Sequence, residues 1–308
     1  MVPDPEFSSY YGRQIIKTPT WKTPDVPLYL FLGGMAGASA VLAEGAALTG
    51  RPDLERVARL AAAGGAGAGT AALVHDLGRP ERFLNMLRVF KPTSPLSVGS
   101  FILAPFSGFA MAAAGSQVTG WFPRLGRLAG LGAAAFGPPL ATYTAALVAN
   151  TAVPAWHEAH RELPFLFAGS GATAAGGFAM VFTPCAQAGP ARRMLVAGAA
   201  LEIAAAESTI HRLGMVGEPY RTGRPGTLMR TARNLTAGAS AVSLLAGRRS
   251  RLLSAVAGAA AVTASLLTRF GVFEAGIASA KDPKYTVVPQ KERLAQKTAA
   301  SSLRNVGA

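Results

Sequence analysis

The amino-acid sequence predicts an all-α membrane protein that crosses the bilayer several times. Charged residues make up only 15% of its 308 residues, well below the roughly 25% usual for soluble domains. Three segments, 92–123, 128–156 and 163–191, contain no Asp, Glu, Lys or Arg. Each exceeds the roughly 20 residues that a helix needs to cross a bilayer. An Ala- and Gly-rich soluble helical protein is the alternative, favoured only by the modest mean hydropathy of +0.29.

Eight apolar segments follow one another along the chain, with Pro and Gly between them. The predicted spans are 28–48, 57–77, 98–118, 130–152, 164–184, 191–211, 231–247 and 252–272. The seventh is the weakest, because it is short and Arg230 and Arg233 crowd its start. Small-residue patterns at 33–37 and 64–69 predict close helix packing, since small side chains let backbones approach. We predict one membrane domain over 28–273, with polar tails at 1–27 and 274–308, the second of them basic.

An even number of spans puts both termini on one side of the membrane, here called side A, opposite side B. The four short side-B loops carry ten Arg residues and two acids, whereas the remaining twenty basic residues lie on side A. The positive-inside rule weighs short loops near the spans and would make side B cytoplasmic. Side A nevertheless holds more cations in total, so the orientation stays open.

The net charge of +14 does not predict nucleic-acid binding. The basic residues lie between and beyond the apolar spans, not on one face of a folded domain. Lipid head groups and an acidic partner are the expected counter-charges. Cys185 is the one cysteine, so the chain has no internal disulfide and lacks the four thiolates that commonly hold an iron–sulfur cluster. We expect any such cluster to belong to a partner.

Ionisable side chains gather at the side-A ends of the spans. All four histidines lie at that end: His75, His157, His160 and His211. His75 and Asp76 close the second span, and Tyr143 lies in the second half of the fourth. These groups predict a polar pocket that is open to an apolar ligand from the bilayer. A quinone site has this character, because the ring needs hydrogen-bond donors and a group that exchanges protons.

Four further groups suggest a proton path. Glu207 and His211 are four residues apart and share one helical face near side A, while Glu44 and Glu202 lie deeper. Ionisable groups at membrane depth are costly and usually functional, although buried pairing is the alternative for both deep carboxylates. Simpler roles are also open elsewhere: Arg79 as a helix end that meets lipid phosphates, Tyr143 as an interfacial anchor, and His157 and His160 as loop residues.

Four stretches carry a family resemblance. They are "LYLFLGGMAGASAVLA" (28–43), "HDLGRPERFLNMLRVFKPTSPLSVGS" (75–100), "PPLATYTAALVANTAVPAW" (138–156) and "RFGVFEAGIASAKDPKYTVVPQ" (269–290). The chain resembles the NrfD/PsrC family, the membrane subunits of molybdoenzyme and related respiratory complexes. The resemblance implies eight transmembrane helices in two four-helix bundles without haem. It also implies a quinone site near the face that docks a ferredoxin-like, multi-cluster iron–sulfur subunit, which exchanges electrons with a molybdopterin-type catalytic subunit.

The resemblance also implies site residues. Tyr143 matches the family's quinone-site tyrosine, and His75, Asp76 and Arg79 lie in the specific motif on the same side. At the start of the first span, "DVPLYL" offers Asp25 and Tyr29 where a His and an Asn can occur. We therefore predict His75, Asp76 and Tyr143 as catalytic and Tyr29, His75, Arg79 and Tyr143 as quinone-binding. No metal ligand is predicted in this chain.

The leading prediction is a quinone/quinol-binding subunit that exchanges electrons between a membrane quinone and an iron–sulfur partner, with linked proton transfer. The quinone type, the direction of electron flow and the catalytic partner stay open. One alternative is a haem b anchor, because His75 and His211 both lie near side A and could ligate one haem axially. Another is a proton-coupled secondary transporter that uses Glu44 and Glu202.

Overall fold

A computed structural model describes residues 14–79, 81–247 and 249–306. Residues 1–13 of the predicted N-terminal tail, Pro80, Arg248 of a side-B loop, and residues 307–308 lie outside this range. The described residues form helices and no strand. In chain order these are α1 (Asp25–Leu48), α2 (Pro52–Asp76), α3 (Glu81–Met86), α4 (Pro95–Thr119), α5 (Pro123–Ala149), α6 (Pro154–Glu158), α7 (Leu163–Phe182), α8 (Gly189–Leu213), a 3-10 helix (Gly214–Tyr220), α9 (Gly223–Leu245), α10 (Arg251–Lys281) and α11 (Lys284–Val306).

Eight of these helices match the eight predicted segments: α1, α2, α4, α5, α7, α8, α9 and α10. Proline occupies the first turn of α2, α4, α5, α7 and α8, where its missing N–H leaves no hydrogen bond unmade. The sequence placed the end of the eighth span at 272, but α10 continues to Lys281. The polar C-terminal tail also contains a helix of 23 residues, α11, which was not predicted.

Within the described residues, six helices are long and apolar enough to cross a membrane: α1, α2, α4, α5, α7 and α10. Length does not separate α8 and α9 from these, since they have 25 and 23 residues. Their composition does, because each carries several charged side chains. Arg192, Arg193, Glu202 and Glu207 lie in α8. The chain is therefore an all-helical, multi-pass membrane protein.

Helix α1 lies at the centre of the packing. It contacts α2 and α5 on one side and α7 and α10 on the other. Helix α4 packs against α5 and α2, while α8 packs mainly against α7 and α9 mainly against α10. The backbones meet at glycines: a Cβ at Gly37 of α1 would collide with the carbonyl oxygen of Gly137 in α5. The predicted role of the small-residue pattern at 33–37 in helix packing is thus confirmed.

Short elements cover the side-A end of α10. Trp156 of α6 is fully buried, and its indole Nε1 donates to the carbonyl oxygen of Val272, 2.8 Å away. Its ring stacks on Trp21 of the N-terminal segment, with 5.5 Å between centroids. The Tyr220 hydroxyl donates to the Ala155 carbonyl oxygen at 3.1 Å. These contacts fix the surface on which the side-A residues stand.

Candidate functional site

An ion pair joins the side-A ends of α1 and α2. His75 Nδ1 lies 2.7 Å from Asp25 Oδ2. Asp25 occupies the first turn of α1 and His75 the last turn of α2, so each side chain stands where the helix dipole favours its charge. The His75 side chain is 76% exposed, whereas that of Asp25 is 13% exposed. The pair therefore connects open surroundings to a half-buried carboxylate, an arrangement suited to proton exchange.

The N-terminal segment closes over the same helix end. The backbone N–H of Lys22 donates to Asp76 Oδ1 at 2.9 Å, and the Lys22 ammonium donates to the His75 carbonyl oxygen at 3.3 Å. Asp76 is thus held by the backbone of another segment, beside the Asp25–His75 pair. Arg79 follows the end of α2 and is exposed. Gly78 makes the turn between them with φ of +69°, which glycine adopts without steric cost.

Two tyrosines lie nearby on α1 and α5. Tyr29 is buried, with its ring near Gly69 of α2. Tyr143 is half-buried and packs against the apolar cluster that contains Tyr29. Its ring occupies the space beside Gly99 in the second turn of α4, where any Cβ would collide with it. Both tyrosines thus lie among α1, α2, α4 and α5. The Asp25–His75 pair lies on two of these helices, α1 and α2.

Of the predicted proton-path residues, Glu202, Glu207 and His211 lie on α8, whereas Glu44 lies apart from them on α1. Glu207 pairs with Arg233 of α9, with 2.6 Å between Oε1 and Nη1, and His211 is exposed at the end of α8. Glu44 lies at the side-B end of α1, where its Oε1 is 3.1 Å from Arg59 Nη2. That ion pair is buried. The contacts of Glu44 thus favour buried pairing, the alternative that the sequence left open.

Glu202 is buried between helices of the second half of the chain. The Thr268 hydroxyl donates to its Oε1 at 2.6 Å. Next to Thr268 lies Arg269, which is fully buried. Its Nη2 donates to the Phe167 carbonyl oxygen at 2.8 Å, and its guanidinium lies 3.8 Å from the centroid of the Phe167 ring. This buried cation was not predicted as a site residue.

A signal for Arg269 was present in the sequence, because it is the only charged residue in the predicted span 252–272. The prediction considered histidines and carboxylates as proton carriers and passed over arginine. Arginine stays charged in proteins, so a buried one requires nearby acceptors or a counter-charge. From this requirement, a buried acid such as Glu202 is the expected counter-charge of Arg269.

A second, partly buried ion pair lies on side A. Glu162, just before α7, accepts from Arg212 Nε at 2.5 Å and from Arg212 Nη2 at 2.6 Å. Burial alone would raise the pKa of Glu162, but the hydrogen bonds and charge of Arg212 outweigh it and lower that pKa. Nearby, a hydrogen bond from Lys284 at 3.0 Å lowers the pKa of Glu218. These pairs bind α8, the 3-10 helix and α11 to the side-A surface.

His75, Asp76 and Tyr143 bring hydrogen-bonding side chains to the side-A parts of α2 and α5. Within the described ranges, no group of three or more His, Cys, Asp or Glu residues converges as a metal site. The fold and these residues define a class: a helical multi-pass membrane protein with ionisable groups gathered at one face.

Comparison with known families makes this class specific. Residues 16–193 match the family described as polysulphide reductase NrfD, which covers more than half of the chain. The protein therefore belongs to the NrfD family, as its sequence motifs predicted, and the family indicates a membrane subunit of an oxidoreductase complex. Comparison with curated proteins gives no match.

Proposed function

We propose that the protein is the quinone-binding membrane subunit of a respiratory oxidoreductase complex. The observation that carries this proposal is the Asp25–His75 pair at 2.7 Å, which joins α1 and α2, and α1 packs directly against α5, the helix of Tyr143. Quinone chemistry couples electron transfer to proton exchange, so a site needs hydrogen-bond donors beside a proton-exchanging group. The side-A ends of α1, α2, α4 and α5 offer both kinds of group.

In this proposal the eight helices that match the predicted spans all cross the membrane. Helices α1, α2, α4 and α5 form one four-helix bundle, and α7, α8, α9 and α10 form the other, with α1 and α7 in contact between them. The charged side chains of α8 and α9 are compatible with spanning, because Arg233–Glu207 is paired and Glu202 is hydrogen-bonded. An even number of spans puts both termini on side A.

The side chains have separate roles in the proposal. The Tyr143 hydroxyl donates to one quinone carbonyl oxygen, and Tyr29 and Arg79 complete the pocket. His75 and Asp76 exchange the protons, and Asp25 holds the His75 ring through its contact with Nδ1. Linked proton transfer in the second half of the chain uses Glu202, Glu207 and His211. Glu44 has a structural role, as the partner of Arg59.

We further propose that side A docks a ferredoxin-like iron–sulfur subunit, which connects to a molybdopterin-type catalytic subunit. The side-A surface contains α6, the 3-10 helix and the first part of α11. Cavities of about 320 and 450 Å³ lie between these elements, and Arg293 lines both. A docked partner would cover this polar surface and its cavities, and it would bring an iron–sulfur cluster close to the quinone pocket.

Affinity purification of the tagged chain from its own membrane tests the proposal. We expect an iron–sulfur subunit to co-purify, and the purified chain alone to lack a haem Soret band. A Soret band that disappears in the His75→Ala or His211→Ala variant would replace the proposal with the haem anchor. Substrate transport by the chain alone, without any co-purifying redox subunit, would replace it with the transporter.

A further inference from the structure

Glu202 and its neighbours form a buried polar centre away from the Asp25–His75 pair. Helix α10 contributes Thr268, which hydrogen-bonds Glu202, and Arg269. Helix α7 contributes the hydroxyls of Ser170 and Thr173 to the surroundings of the carboxylate. Each of these side chains is buried. So polar an interior is costly in an apolar surrounding unless its groups have partners.

Four polar atoms at this centre lack a hydrogen-bond partner among the described residues, and two of them are Nε and Nη1 of Arg269. Glu202 Oε2 and Thr236 Oγ1 are both inaccessible to solvent and make no hydrogen bond within the described part of the chain. Glu202 is 4% exposed and Thr236 1% exposed. Both residues line one cavity of about 20 Å³. A cavity needs only about 10–15 Å³ to hold one water molecule, provided that polar partners are present.

A larger cavity adjoins this one on the side nearer side A. Ala206, Met229 and Arg233 line the small cavity, and the same three residues line the larger one, of about 250 Å³, between α8 and α9. The larger cavity also contacts Glu207 and Arg230 near the side-A surface. The Arg233–Glu207 ion pair lies along this route, with both side chains more than a third exposed. The two cavities thus adjoin along the groove between α8 and α9, with Glu207 at the larger cavity and Glu202 at the smaller.

We propose that Glu202 is a hydrated protonation site that exchanges protons with side A through this groove. One water molecule occupies the small cavity and bridges Glu202 Oε2 to Thr236 Oγ1. A hydronium ion that reaches this position transfers its proton to Oε2: an O–H bond forms on the carboxylate, one breaks on the hydronium, and water remains. The site deepens the proposed function, since it rests on the chain spanning the membrane, but it does not depend on the quinone.

The charged groups that face Glu202 explain why it can change its protonation state. Arg269 of α10 favours the ionised carboxylate, whereas burial favours the neutral acid. Arg233 of α9 lines the same cavity and carries the compensating Glu207 on its other side. Helix α7 faces the carboxylate with neutral hydroxyl groups only. Burial and the neighbouring donors therefore act in opposite directions on the protonation of Glu202.

Infrared difference spectroscopy on the full-length protein in lipid tests the proposal. Protonated carboxyl groups give a carbonyl stretching band that shifts in D2O. We expect a pH-dependent band of this kind in the wild type, which is lost in Glu202→Gln and retained in Glu207→Gln. We also expect the band to shift as soon as the film of protein in lipid is wetted with D2O. Absence of any band that Glu202→Gln removes would overturn the proposal, as would a band that stays unshifted in D2O for hours.

The bridging water has its own pair of variants. Thr236→Val removes the hydroxyl with little change in shape, and Thr236→Ser retains it. Deuterium exchange of the Glu202 band is expected to slow several-fold in Thr236→Val and to stay fast in Thr236→Ser. Equal exchange in both variants would overturn the role of the water. The measurement needs neither quinone nor a partner, so loss of the quinone site would leave its result unchanged.

Discussion

His75 Nδ1 lies 2.7 Å from Asp25 Oδ2 and joins the last turn of α2 to the first turn of α1. The two residues are 50 positions apart in the chain and meet because α1 and α2 are antiparallel neighbours. An exposed imidazole held by a less exposed carboxylate can pass protons between water and a buried pocket. This relationship leads directly to the first expected result.

Replacement of Asp25 by Asn is expected to lower quinone-linked turnover of the assembled complex, because the carboxylate that holds the His75 ring at Nδ1 is lost. A positioned acid–base group contributes about 10²- to 10⁴-fold to a rate, so we expect a loss of about tenfold or more in Asp25→Asn and His75→Ala. Dye-linked activity of the partner subunits is the control and should not change. Quinone-linked turnover at the wild-type level in both variants would exclude this pair from the site.

Gly99 allows a separate test of the position of Tyr143. A methyl group at Gly99 would collide with the Tyr143 ring, whereas nothing lies within 4 Å of a Cβ at Gly108 in the same helix. Gly99→Ala is expected to weaken quinone binding, measured as a raised KM for quinone, because the ring must move. Gly108→Ala is the matched control and should keep wild-type kinetics. Equal KM values in the two variants would show that the position of the Tyr143 ring does not affect quinone binding.

The buried Glu44–Arg59 pair predicts a stability effect. Arg59 also contacts Glu55 at 2.9 Å and Gln117 at 2.8 Å. Removal of one member of a buried pair costs about 3–5 kcal/mol, whereas replacement of both by apolar residues is often neutral. We expect Arg59→Met to destabilise the protein strongly in detergent denaturation, and the double variant Glu44→Leu/Arg59→Met to recover most of the loss. A double variant as unstable as Arg59→Met alone would contradict the structural role of Glu44.

The Glu162–Arg212 pair predicts a pH dependence of stability. Because the pKa of folded Glu162 is lowered, its contribution is fully present above the unfolded value of about 4.3 and is lost as the pH falls through the folded pKa. Glu162→Gln is expected to lower the melting temperature at neutral pH, by an amount equivalent to about 1 kcal/mol. The difference from the wild type should shrink on acidification. A difference that is constant with pH would contradict the charged pair.

The helices could be predicted from sequence because hydrocarbon excludes charge. Runs such as 128–156 can satisfy their backbone within a membrane only as helices, and each of the eight predicted segments overlaps a helix. Helix α11 was missed because the prediction followed apolar spans, whereas α11 is polar on average and only one of its faces is apolar. Its first residues instead depend on tertiary contacts, such as the Lys284–Glu218 pair.

The candidate site was predictable in part. The sequence indicated which residue types lie at the side-A ends of the helices, and Tyr29, His75 and Tyr143 do lie on neighbouring helices. The sequence could not indicate which residues they contact, because helix packing alone brings Asp25 to His75 and Gly99 to Tyr143. The cavity beside Glu202 was equally hidden, since it depends on how closely α8 and α9 approach each other.

Quinone-linked turnover of the assembled complex with Tyr143→Phe tests the central claim most directly. The substitution removes one hydroxyl and keeps the ring that packs beside Gly99. Loss of a hydrogen bond to the quinone is expected to cost about 1–3 kcal/mol. We therefore expect kcat/KM for quinone to fall by about fivefold to 150-fold while dye-linked activity stays at the wild-type level. A kcat/KM for quinone equal to that of the wild type would contradict a quinone site at Tyr143.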